Sequence, residues 1–135
     1  MTSLVVVDSP GALRLDLGTT PVVAARDFLA SPDAFPRRWR VYNLCRSFRY
    51  QSLGYYVSLL AMARGHRVVP DVAAIQDMKA PELVKLLSDD LDGLLQKTLR
   101  PLVGDEHVLS VYFGRNLAKR YARLASSLFA RFEAP

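Results

Sequence analysis

The stretch Arg40–Pro70, RVYNLCRSFRYQSLGYYVSLLAMARGHRVVP, decides the fold. Arg40 to Cys45 alternates as a β-strand, with Val41, Asn43 and Cys45 on one face and Tyr42 and Leu44 on the other. Arg46 to Gln51 is a polar loop, and Ser52 or Tyr50 opens a helix that runs to about Arg64. Leu53, Tyr56, Val57, Leu60 and Ala61 follow the i, i+3, i+4, i+7 spacing of one buried face. Gly65 stands where a left-handed helix end is wanted, and His66–Pro70 returns as a strand. Strand, helix and strand with tight connections make a βαβ unit with a right-handed crossover.

The charge of the chain is concentrated in that unit. From Ala34 to Pro70 there are seven arginines and no acid, whereas the first 33 residues carry two arginines against four acids. Residues 71–135 balance nine bases against nine acids, so the net charge of +5 comes from one strand–loop–helix segment. A local excess of this kind points to an anion site more than to general solubility.

Outward from the unit, the chain alternates strands and helices. Leu4-Val5-Val6-Val7, closed by Asp8-Ser9-Pro10-Gly11, reads as a buried central strand, and Pro21–Ala25 as a second strand toward an edge. No good helix separates these two, so their crossover is irregular or missing. Asp27 caps a short turn through Phe28 and Leu29, and Asp71 caps a helix over Val72–Met78. Pro81 opens a leucine-striped helix bent near Ser88-Asp89-Asp90 and ended by Pro101 and Gly104. His107–Phe113 reads as a fifth strand, and Asn116 caps a last helix that buries Leu117, Tyr121, Leu124, Leu128, Phe129 and Phe132. The expectation is one α/β domain, a three-layer sandwich around a mostly parallel sheet of about five strands. With 135 residues, half of them apolar, the chain is long enough for a single core.

Class exclusions follow. No apolar run approaches the ~20 residues of a membrane span, and Met1-Thr2-Ser3 lacks the positive start of a secretory signal. A single cysteine, Cys45, suits a reducing cytoplasm.

In open α/β sheets, ligands bind beyond the carboxyl ends of the strands where the strand order reverses. If the Arg40–Cys45 strand lies beside the first strand, Asn43, Arg46, Arg49, Tyr50, Gln51, Ser52 and Tyr55 cluster there at a helix N-terminus. Guanidinium forks, hydroxyls and free N–H groups suit a carboxylate or phosphate. Arg115 and Asn116 are secondary candidates. Against this stands a structural reading, in which the arginines snorkel, stack on Tyr42, Phe48 or Tyr50, or form surface pairs worth about 0–1 kcal/mol. Cys45 is either a nucleophile activated by Arg46 and the helix start or, more commonly for its type, a small buried apolar residue. His66 and His107 lack metal-ligand spacing, and no nucleotide-binding fingerprint is present. Arginines interleaved with Trp39, Tyr42, Phe48, Tyr50 and Tyr55 leave a nucleic-acid or ribosomal docking module as a rival, although lysines are few and no RNA-binding motif appears.

The run Asn43-Leu44-Cys45-Arg46, Tyr50-Gln51-Ser52-Leu53-Gly54-Tyr55-Tyr56-Val57-Ser58-Leu59-Leu60-Ala61, with Val6-Val7-Asp8, Ala25–Leu29, Pro70 and Ile75-Gln76-Asp77, resembles the N-terminal domain fused ahead of RimK-like ATP-grasp ligases. The resemblance covers most of the chain. It implies a Rossmann-like or flavodoxin-like α/β domain that precedes an ATP-grasp domain forming amides from carboxylates and amines. It brings no assigned catalytic residue. ATP and magnesium are then expected in a C-terminal ATP-grasp domain absent from these 135 residues, with that domain and a small carboxylate or peptide as partners. The remaining alternative is a purely structural domain that packs on the ATP-grasp half.

Overall fold

The structure is a computed structural model that describes residues 2–14, 16–36 and 38–135. Four strands form the sheet: β1 Thr2–Val7, β2 Val22–Ala24, β3 Trp39–Asn43 and β4 Arg67–Val69. Their order is β2-β1-β3-β4, and all three pairings are parallel. This is the beginning of the flavodoxin-like order. In register, Leu4 lies beside Val41, and Val41 beside Val68. These residues join Val6, Ala25, Phe28, Cys45, Val57 and Ala61 in one core cluster. Val5 and Val7, which point the other way, are buried too. Both faces of β1 are therefore covered, as in a three-layer α/β sandwich, which is why its sequence is a continuous β-branched run. Between β1 and β2 the chain makes only a 3-10 turn at Pro10–Ala12, so the crossover is irregular.

The chain separates into two compact units, Met1–Ile75 with Pro135, and Gln76–Ala134. The first holds the whole sheet with helices α1 Ala25–Ala30 and α2 Leu53–Ala63. A short helix, α3 Val72–Met78, follows, with Asp71 Oδ1 accepting the Ala74 N–H at 2.7 Å. The second unit carries α4 Pro81–Asp90, α5 Asp92–Leu99 and α6 Ala122–Arg131. Among the described residues no helix is long and apolar enough to cross a membrane.

Three sequence expectations give way. His107–Phe113 is not a fifth strand; its only pairing is an isolated antiparallel bridge between Tyr112 and Arg115. The tight turn at Phe113-Gly114 folds the segment on itself, and Val108 stays 88% exposed. The last helix begins at Ala122, not after Asn116, and Leu117 is 95% exposed. Asn116 instead closes its own turn, accepting the Ala118 N–H at 2.8 Å and donating to the Ser110 carbonyl at 2.7 Å. Finally, α1 starts at Ala25 with no side-chain cap, so Asp27 sits inside its first turn.

The α2 helix also rolls relative to the expected face. Its buried residues are Gly54, Val57, Ser58 and Ala61, while Leu53 is exposed and Tyr56 half-buried. Small residues let the helix axis approach the β3–α2 loop closely. A Cβ on Gly54 would overlap the Ser47 carbonyl oxygen and lie 2.9 Å from Cys45 Cβ. At the other end, Gly65 has φ 79°, its N–H reaches the Met62 carbonyl, and the His66 N–H reaches Ala61, a Schellman closure. The Arg64 guanidinium then donates to the carbonyls of Phe28 and Leu29 at 2.7 and 2.9 Å, tying α2 to the end of α1.

Gly54→Ala is expected to destabilise the protein by about 1–3 kcal/mol, the cost of overpacking a close contact. Gly93, in α5, has nothing within 4 Å of an added Cβ. Gly93→Ala should be neutral or stabilise by up to about 1 kcal/mol. Urea unfolding midpoints of the two variants check this; equal midpoints would remove the close-approach argument.

Candidate functional site

β1 connects to β2 on one side of itself, and the chain then returns to place β3 on the other. The carboxyl ends of β1 and β3 therefore flank the point where the strand order reverses. An open cleft of about 470 Å³ lies there, lined by Val7, Asp8 and Ser9 from the end of β1, Leu13 beyond it, and Leu44 and Arg46 from the exit of β3. The volume falls in the range of small-molecule sites. Asp8 Oδ2 accepts the Arg46 N–H at 2.8 Å, bridging the two strand ends.

Of the residues expected at the site, two face inward. Asn43 is 0% exposed, and its side-chain amide is fully used. Nδ2 donates to the Gly54 carbonyl at 2.7 Å and to Ser58 Oγ at 2.9 Å, and Oδ1 accepts the Cys45 N–H at 3.2 Å. Ser58 Oγ passes the chain on to the Pro70 carbonyl at 2.6 Å. Asn43 thus braces the site from beneath. Ser52 is the N-cap of α2: its Oγ accepts the Tyr55 N–H at 3.2 Å and donates to the Ser47 carbonyl at 3.0 Å.

The others face outward. Arg46, Arg49, Tyr50 and Gln51 are exposed, Tyr50 at 72%. Gln51 has φ 67°, in the left-handed region that side chains other than glycine rarely adopt. Tyr50 meets half-buried Tyr55 edge-on at 5.4 Å, and Tyr55 meets Tyr56 at 5.7 Å, so an aromatic ladder descends from the loop onto the helix. Arg49 donates its backbone N–H to Ser47 Oγ at 3.3 Å. Among the described residues, neither the Arg46 nor the Arg49 guanidinium has an ion-pair or hydrogen-bond partner. The remaining five arginines of the segment divide: Arg64 is structural, Arg40 and Arg67 stand in register on β3 and β4, Arg38 is exposed just before β3, and Arg37 is outside the described residues. Arg115 and Asn116 belong to the second unit, where their backbone and amide groups close the Tyr112 and Ser110 turn.

Asp8 is the site residue that sequence reading treated only as a turn former. The signal was present, in an acid that directly ends a fully apolar central strand. Cys45 lies against it. Burial, then the Asp8 charge, then a hydrogen bond to Asp8 push the thiol up from 9.0 to about 12. Burial and the neighbouring carboxylate both oppose a thiolate here, which favours the buried apolar reading of Cys45 over the activated one.

Three outcomes follow. The folded protein should resist thiol alkylation at pH 8 while the urea-unfolded chain reacts. Because the folded thiol holds its proton above the unfolded one, stability should fall as pH rises from 9 toward about 12. Asp8→Asn, which removes the charge, should bring the Cys45 titration, followed by thiolate absorbance, below that of the parent.

The sequence model of one family, described as the RimK-like ATP-grasp N-terminal domain, matches residues 25–135. No curated protein and no solved structure matches the chain. The match contains β3, the arginine loop and α2, while Asp8 and the first two strands precede it. A match over this much of its length means that the chain belongs to the RimK-like ATP-grasp N-terminal domain family.

Proposed function

We propose that this domain recognises the substrate of an ATP-dependent carboxylate–amine ligase and holds one of its anionic groups for the C-terminal ATP-grasp domain that the family implies. The supporting observation is the Arg46 guanidinium, without a partner among the described residues, at a cleft on the strand-order reversal point. Arg46 takes a carboxylate or phosphate as a planar fork, and Arg49, on the same loop, adds a second cation. The start of α2 adds about half a positive charge, and its N-cap Ser52 fixes where the loop ends. Gln51 and Tyr55 supply neutral hydrogen bonds, and Asn43 acts at one remove by fixing the loop.

ATP and magnesium belong to the ATP-grasp domain in this reading. An ATP-dependent reaction and a lone protonated cysteine both suit the cytoplasm.

In the ligase that carries this domain, Arg46→Ala and Arg49→Ala should each raise the KM for one substrate about ten-fold or more with kcat little changed. That is the size of a lost hydrogen bond to a charged group, about 1.5–3 kcal/mol. Steady-state kinetics with each substrate varied in turn give the answer, and an unchanged KM in both variants rejects the proposal. Retained kinetics together with salt-sensitive RNA binding would assign the arginines to nucleic acid instead.

A further inference from the structure

The cleft has two poles. Arg46 supplies a cation, and Asp8 supplies a carboxylate on the same lining, yet the two side chains form no ion pair with each other among the described residues. Asp8 is held from below by the Arg46 N–H at 2.8 Å, which orients the carboxylate at the seam between β1 and β3. The rest of the lining is Val7, Leu13 and Leu44, with Ser9 next to Asp8 in the chain. A plain carboxylate or phosphate would meet repulsion from Asp8, so an anion alone does not use this surface. An anion that also carries a cation does.

We infer that the cleft takes a zwitterionic α-amino acid with an apolar side chain, its carboxylate on Arg46, its ammonium on Asp8, and its side chain against Val7, Leu13 and Leu44. The inference rests on the proposed recognition of an anionic group here and deepens it by naming the substrate class. An acidic side chain is disfavoured, because it would bring a second negative charge to a wall of valine and leucine beside Asp8.

The test compares leucine, N-acetyl-leucine (no ammonium), leucinamide (no carboxylate), glutamate, acetate and inorganic phosphate. Each is titrated into this 135-residue chain while the amide resonances of residues 8, 9 and 44–46 are followed. Leucine should bind at least ten-fold tighter than N-acetyl-leucine, leucinamide or glutamate. Asp8→Asn should lower leucine affinity to that of N-acetyl-leucine and leave N-acetyl-leucine binding no weaker. If N-acetyl-leucine, acetate or phosphate binds as well as leucine in the unaltered protein, the ammonium pole is overturned while anion recognition stands. If glutamate matches leucine, the apolar wall does not select and the inference falls. If no compound shifts these amides, the inference and the proposed function fall together.

Discussion

The site depends on one buried amide. Asn43 ends β3 inside the core, where an unpaired polar group would cost about 1–3 kcal/mol, and each of its polar atoms is used. One N–H reaches the first turn of α2 at Gly54, the other reaches Ser58 one turn later, and the carbonyl holds the backbone at Cys45. The strand exit and the helix start are thereby fixed to each other at both ends of the intervening loop. The loop between them, Arg46 to Ser52, has little freedom left, and Gln51 accepts a left-handed φ within it. Pre-setting a loop in this way removes ordering entropy that a ligand would otherwise have to overcome.

Small residues on α2 are the second half of the same constraint. Asn43 reaches the Gly54 carbonyl only because the helix comes close enough that no Cβ fits at Gly54. Ser58 is polar yet buried because it relays the hydrogen bonds from Asn43 to Pro70. A periodicity argument weights large apolar residues, so it rightly placed Val57 and Ala61 on the inner face but added Leu53, Tyr56 and Leu60 and missed Gly54 and Ser58. The βαβ unit itself was legible, because alternation, N-cap, helix length and the Gly65 stop all agree with the final structure. The position of β3 beside β1 was a condition in the sequence reading and is met by the pairing. The segment from His107 to Phe113 was not legible: a strand pattern without a neighbouring strand to pair with specifies nothing, and a local turn took its ends.

The arginine excess resolves into distinct physical roles. Arg64 spends its donors on the carbonyls of Phe28 and Leu29 and sits 5.1 Å over the Phe28 ring, so it is part of the packing. Arg40 and Arg67 stand side by side across β3 and β4, a like-charge arrangement that strand pairing does not favour. Among the described arginines only Arg46 joins the cleft, and Arg49 shares its loop. A count of charges along the sequence points to a region; it is hydrogen bonding and strand order that separate a structural guanidinium from one left available.

Asp8 and Cys45 show how the second pole is maintained. A carboxylate at the floor of a cleft needs donors that orient it without cancelling its charge. A backbone N–H from Arg46 and a thiol do both, since neither carries a charge. Burial and then the carboxylate itself push the thiol up to about 12, which opposes a second anion beside Asp8 near neutral pH. A lysine or arginine in place of the thiol would have closed an ion pair and left the cleft floor electrically neutral. Asp8 lies before the matched residues 25–135, and Arg46 lies within them. The β3–α2 unit thus carries the Arg46 side of the cleft, and β1 carries the Asp8 side.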